Sequence, residues 1–179
     1  KAIKNNNKEE INETQNRSLE FSLLISIPSA VGLFILSFPI IHILFEREAF
    51  LPQDTIYTSQ VLSIFSLGLP AYILIKVLIT CFFAREDTKS PLYISLISVF
   101  FNIFLSLLLI DSMREMGIAL ATAISAWINA FLLYFILKFK KNIILDNIFL
   151  INLVKIIISV FVMLIACYIL SILVLNNLT

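Results

Sequence analysis

The chain has 179 residues, 60% of them hydrophobic and 14% charged, with a formal net charge of +1 and a mean hydropathy of +0.99. That balance excludes a soluble globular domain and a disordered chain, since neither carries so much apolar surface. The small net charge excludes the basic footprint of a nucleic-acid binder.

Residues 1–18 are polar, with Asn5-Asn6-Asn7 followed by Lys8-Glu9-Glu10. They predict a solvated cytoplasmic linker able to form a short surface helix. The chain opens at Lys1 with no charged-then-apolar leader pattern. This reads as a start inside a polar loop of a longer protein. Residues 19–179 predict one all-α transmembrane bundle. It contains five long apolar segments, at about 21–45, 55–84, 91–110, 117–139 and 148–175. Each reaches the ~20 residues that a helix needs to cross ~30 Å of hydrocarbon. None carries the charged stripe of a soluble core helix.

The first span contains Pro28, Gly32 and Pro39, and both prolines predict bends. The second carries Gly68-Leu69-Pro70 near its centre, which predicts a bend there too. Ser90-Pro91 predicts an N-cap followed by proline at the first helical position of the third span. The fourth span has two rows of small residues. Ala119, Ala123, Ala126 and Ala130 form one, and Gly117, Ala121 and Ser125 the other. Small residues let helix backbones approach closely, which predicts an interior helix. Short turns make successive spans antiparallel. An odd number of spans ending at Thr179 suggests further sequence beyond it.

Basic residues set the orientation. Lys1, Lys4, Lys8 and Arg17 precede span one, Arg85 and Lys89 follow span two, and Lys138, Lys140 and Lys141 close span four. The opposite turns hold only Arg47 and Arg114. This alternation predicts a cytoplasmic N-terminus, with the chain ending on the outer face.

No catalytic constellation stands out. His42 is the single histidine, near the outer end of span one, and no carboxylate lies at membrane depth. Cys81 and Cys167 lie in apolar segments and read as small packing residues, without zinc-ligand spacing. No cofactor or metal is expected. Lys76 is a candidate substrate-binding residue: it either snorkels to the interface or faces a wet internal cavity and attracts an anion. Lys155 reads as snorkelling. Asn102 and Ser106 share one face of span three, and Thr122, Ser125 and Asn129 share one face of span four. If these faces meet they form a hydrogen-bonded seam or a weak cation site. A tight sodium site would normally include a carboxylate.

Four ordered stretches carry a resemblance. They are Leu44-Phe45-Glu46-Arg47-Glu48-Ala49-Phe50; Gly68-Leu69-Pro70-Ala71 with Lys76-Val77; Phe83-Ala84-Arg85-Glu86-Asp87-Thr88-Lys89-Ser90-Pro91; and Gly117-Ile118-Ala119-Leu120-Ala121-Thr122 with Ser125-Ala126-Trp127-Ile128-Asn129-Ala130. Residues 18–139 thereby resemble the bacterial lipid II flippase family MurJ (MviN) of the multidrug/oligosaccharidyl-lipid/polysaccharide exporter superfamily. The resemblance implies fourteen helices in two lobes around a central cavity, with this chain as helices nine to thirteen, part of the C-terminal lobe. It implies a transporter of the bacterial inner membrane, not an enzyme. The cargo would be lipid II, an undecaprenyl-diphosphate-linked peptidoglycan precursor, moved between leaflets by alternating access for cell-wall synthesis. The implied partners are lipid II, membrane lipid and the N-terminal lobe. The family's cavity arginines and aspartate lie mainly outside this stretch and are not carried over. Glu48 and Glu86 stand where the family often has glycine, which predicts stiffer, more negative turns. The alternatives are a related exporter of drugs or lipid-linked oligosaccharides, a non-transporting truncated remnant, or a membrane enzyme disfavoured by the missing acid–base pairs.

Overall fold

The computed structural model describes residues 8–140 and 143–178. Asn5-Asn6-Asn7, Lys1, Lys4, Lys141 and Thr179 lie outside the described residues. Six helices follow in order: α1 Lys8–Ile35, α2 Ser37–Phe45, α3 Pro52–Phe83, α4 Lys89–Met113, α5 Glu115–Phe139 and α6 Asn147–Leu178. Five of them are long and apolar enough to cross a membrane, all except α2.

The expected first span is two helices. Pro39 has no N–H to give the carbonyl of Ile35, so the ladder loses a rung there. Leu36 takes φ −91° and ψ 10° between α1 and α2. The chain stays continuous through Leu36 N–H donating to Gly32 O and Ile40 N–H donating to Leu36 O. By contrast α1 runs unbroken through Pro28, and α3 through Pro70. From Lys8 on, the polar stretch is helical and continuous with the first span. Hydroxyls of Thr14, Ser18 and Ser22 each bond the carbonyl four residues back, and Arg17 pairs with Glu20 at 3.2 Å. With 28 residues α1 is ~42 Å long, so its polar first turns extend past the hydrocarbon layer.

The expected cap of the third span is corrected. Ser90 lies inside α4, and the side chain that satisfies the helix start is Asp87. Its carboxylate accepts the Ser90 N–H at 3.0 Å and the Ser90 hydroxyl at 2.7 Å. Aspartate serves this role as well as serine. The α3 terminus closes in the Schellman pattern, with Asp87 N–H donating to Phe82 O and Glu86 N–H to Phe83 O. Such a closure needs a left-handed residue, and Glu86 occupies it at φ 60°. Glu48 has φ 49° in the α2–α3 turn, and Arg114 φ 49° between α4 and α5. Glu48 and Glu86, the two turn glutamates singled out in the sequence, thus stand where glycine is favoured.

Packing does not follow chain order. The helices form the row α4–α5–α3–α1–α6, with α2 folded back on α3. Although α4 follows α3 through a short turn, it packs chiefly on α5. The small residues explain why. Ala119, Ala121, Ala123, Ala126 and Ala130 are buried along α5, with Ala71 of α3 packed against Ala126 and Ala130. A Cβ added to Gly117 would lie 2.6 Å from Leu109 O of α4. So α5 serves as the inner helix both neighbours press upon. The outer faces are apolar, with Phe100 and Leu107 of α4 each 68% exposed, as lipid contact requires. A second core joins Leu23 of α1, Leu78 and Phe82 of α3, Leu133 and Leu137 of α5, and Phe149 of α6.

Candidate functional site

The expected polar faces of spans three and four meet. Asn102 Nδ2 donates to Thr122 Oγ1 at 3.2 Å, Ser106 Oγ to Asn102 Oδ1 at 3.3 Å, and Thr122 Oγ1 to Ile118 O at 2.8 Å. Three of the five expected residues therefore form one hydrogen-bonded chain across α4 and α5. Asn102 and Thr122, but not Ser106, line an open groove of 430 Å³, and Ser125 and Asn129 share its wall without a hydrogen bond to them. The groove also takes in Ser98 and Tyr72. Tyr72 was missed because a lone tyrosine in an apolar span gives no periodic signal. Ser95 and Ser98 extend the Asn102–Ser106 row at three- and four-residue spacing, so that signal was present.

Tyr72 OH, Ser125 Oγ and Asn129 Oδ1 are buried with no hydrogen-bond partner among the described residues. Tyr72 lies over Gly68, where an added Cβ would come within 2.7 Å of its hydroxyl. The glycine of the Gly68-Leu69-Pro70 stretch thus makes room for the ring. The groove presents neutral hydroxyl and amide groups and no charged side chain, suited to hydrogen bonding or weak cation contact rather than acid–base chemistry. Among the described residues no group of three His, Cys, Asp or Glu gathers.

Lys76 lies one helical turn beyond Tyr72 on α3, is exposed, and does not line the groove. It has no polar partner among the described residues, which leaves its charge available to a group outside the bundle. Lys155 is exposed on α6. Near Pro70, Trp127 Nε1 donates to Leu67 O at 3.0 Å, a hydrogen bond from α5 to the α3 backbone.

Polar clusters hold both ends of the bundle. At one, Lys140 Nζ donates to Asp87 Oδ2 at 2.6 Å and to Ser90 Oγ at 3.1 Å, tying the end of α5 to the α3–α4 turn. The Lys140 ammonium, then the Ser90 N–H and O–H, hold the Asp87 carboxyl below the usual carboxylate range. At the other, Glu46 Oε2 bonds His42 Nδ1 at 2.7 Å and accepts the Thr55 hydroxyl at 2.7 Å. These two bonds lower the Glu46 pKa. His42 therefore has a structural partner: it helps fasten α2 to α3.

A sequence model described as Lipid II flippase MurJ matches residues 1–179, the whole chain. The chain belongs to the lipid II flippase MurJ family. The probable lipid II flippase MurJ of Rickettsia prowazekii is 46% identical over 134 residues, covering 75% of this chain and 26% of the relative. That of Rhizobium meliloti is 42% identical over 142 residues, covering 79% and 26%. A third, from Buchnera aphidicola subsp. Acyrthosiphon pisum, is 33% identical over 169 residues, covering 94% and 33%. A solved structure titled Lipid II flippase MurJ, inward closed conformation, overlays with a TM-score of 0.82 at 32% identity, over 92% of this chain and 34% of that one. The chain thus spans roughly a quarter to a third of its MurJ relatives. All-helical architecture and the membrane spans agree with membership of this transporter family.

Proposed function

We propose that this chain acts as part of a lipid II flippase of the bacterial inner membrane, moving the lipid-linked precursor between leaflets during cell-wall synthesis. The observation that carries this reading is the overlay on the inward-closed MurJ structure across 92% of the chain. Transport of this kind rests on alternating access, in which packed helix groups rock around a polar cavity. Such a group must move as one body. The close α3–α5 and α4–α5 contacts, the Asn102–Thr122 bond and the Trp127–Leu67 bond support that role for this bundle. The hydrogen-bonded seam serves as glue between helices, and the unpartnered oxygens beside it await the rest of a longer flippase. Lys76 is the substrate-binding residue of this portion, an exposed cation on α3 offered to the diphosphate. The basic ends of the spans face the cytoplasm. No bond is made or broken by these residues; they position and move the cargo.

The test is complementation of a flippase-depleted strain by the complete protein with Lys76→Leu or Lys76→Arg. Loss of one charge-assisted contact predicts at least about tenfold slower transport for the leucine variant, with near-normal function for arginine. Wild-type growth on Lys76→Leu at normal membrane levels would remove Lys76 from the substrate path. Orientation is tested separately. Cysteines at Gln53 and Asp111 should react with an impermeant reagent from outside, and one at Lys140 should not.

A further inference from the structure

Two side chains tie the start of α6 to α1. Asn16 Nδ2 donates to Ile144 O at 2.8 Å, and Asn152 Nδ2 donates to Glu20 Oε1 at 2.7 Å. Beside them lies a crevice of 160 Å³ whose walls include Glu13, Asn16, Arg17, Glu20, Asp146 and Phe149. Asn16 is only 4% exposed, and its Oδ1 has no hydrogen-bond partner among the described residues. Its Nδ2 is committed to Ile144, so the amide cannot turn over to hide the acceptor. A buried acceptor left unmade is costly, and it calls for an N–H or O–H donor.

Charge narrows the donor. The crevice holds three carboxylates against one guanidinium. Glu20 is engaged on both oxygens, by Asn152 and by Arg17 at 3.2 Å. Glu13 and Asp146 have no ion-pair partner among the described residues. Two free carboxylates and an orphaned carbonyl suit a small cation with several N–H donors, a primary ammonium.

Position narrows it further. The apolar run of α1 begins at Phe21 and that of α6 at Ile148. The crevice therefore lies at the polar–apolar boundary of both helices, the level of lipid headgroups. Glu13, Arg17 and Glu20 also border a 760 Å³ groove that follows α1 past Phe21 and Leu24 to Val77 of α3, an apolar track beside the charged one. We propose that this crevice binds the headgroup of phosphatidylethanolamine. The ammonium is held among Glu13, Asp146 and the Asn16 carbonyl, the phosphate lies beside Arg17, and an acyl chain follows the groove. Phosphatidylcholine carries the same charges but no N–H, so it cannot satisfy Asn16.

The complete chain, released from detergent and titrated with equal amounts of the two lipids bearing identical acyl chains, is read by native mass spectrometry. A preference of about tenfold for the ethanolamine lipid is expected, the equivalent of one charge-assisted hydrogen bond. Asn16→Ala should reduce it. The double variant Glu13→Gln with Asp146→Asn removes both charges at nearly unchanged size and should bring it to parity. Equal binding of the two lipids by the unmodified chain would overturn the proposal. So would a preference that survives the double variant. Displacement of the lipid by equimolar free ethanolamine would also overturn it, by assigning the crevice to soluble amines.

Discussion

Three glycines offer a graded test of how tightly α5 is held. A Cβ at Gly117 would meet the backbone of α4, at 2.6 Å from Leu109 O and 2.8 Å from Leu109 C. That is about 0.8 Å short of ordinary contact, and a backbone carbonyl in a helix cannot swing aside. Gly117→Ala must push α4 and α5 apart, at a cost of ~1–3 kcal/mol. The helix preference of alanine over glycine returns ~0.8–1.0 kcal/mol, so the net loss is roughly 0–2 kcal/mol. Gly32 has nothing within 4 Å, so only the favourable term acts there. Gly32→Ala should therefore stabilise by up to ~1 kcal/mol. Gly68 is intermediate, because the obstructing atoms belong to the Tyr72 ring, which can shift. The two extremes should differ by the contact cost of ~1–3 kcal/mol, or roughly 2–12 °C in thermal unfolding of the purified chain. The disturbance at Gly117 also reaches the Asn102–Thr122 bond, so a cysteine pair at those positions should crosslink more slowly in the alanine variant. Equal stability of Gly117→Ala and Gly32→Ala would refute the argument that backbone contact fixes α5.

Trp127→Phe keeps the aromatic packing but removes the bond to Leu67 O, and should cost ~0.6–1.7 kcal/mol in an unfolding titration. Glu86→Gly should stabilise by about 1 kcal/mol, since it relieves a left-handed residue without touching a bond of the Schellman closure; a loss of stability would show that the Glu86 side chain matters more than its backbone. The Asp87 carboxyl has its pKa lowered by Lys140 and Ser90, so the stability it contributes is present above the unfolded value near pH ~3.9. That contribution is lost as pH falls toward the depressed folded value. The stability gap between the unmodified chain and Asp87→Asn, measured at neutral pH, should therefore shrink below about pH 4. A gap that stays constant into acid would mean that the ion pair with Lys140 contributes nothing.

Several readings needed only the chain itself. The spans were legible because a bilayer imposes length and apolarity on any helix that crosses it. The interior role of the fourth span was legible in its alanine rows, because helix approach in lipid depends on side-chain size. The ordered motifs carried the family. The meeting of Asn102 with Thr122 was conditional in the sequence, since shared faces on two helices say nothing of whether those faces turn toward each other.

Other features required the tertiary arrangement. Short turns suggest neighbours, yet α3 passes over α4 to pack on α5, because interhelical contact follows shape rather than sequence distance. The break at Leu36 needed both a missing N–H at Pro39 and a helix α3 for α2 to fold against. Asp87 rather than Ser90 caps α4 because the left-handed turn at Glu86 swings that carboxylate over the helix start. The Asn16 crevice joins residues separated by 128 positions, a distance across which no periodicity speaks. Local pattern determines which segments enter the membrane, since lipid acts on each helix separately. Which polar atoms remain without partners is decided only when all the helices are in place.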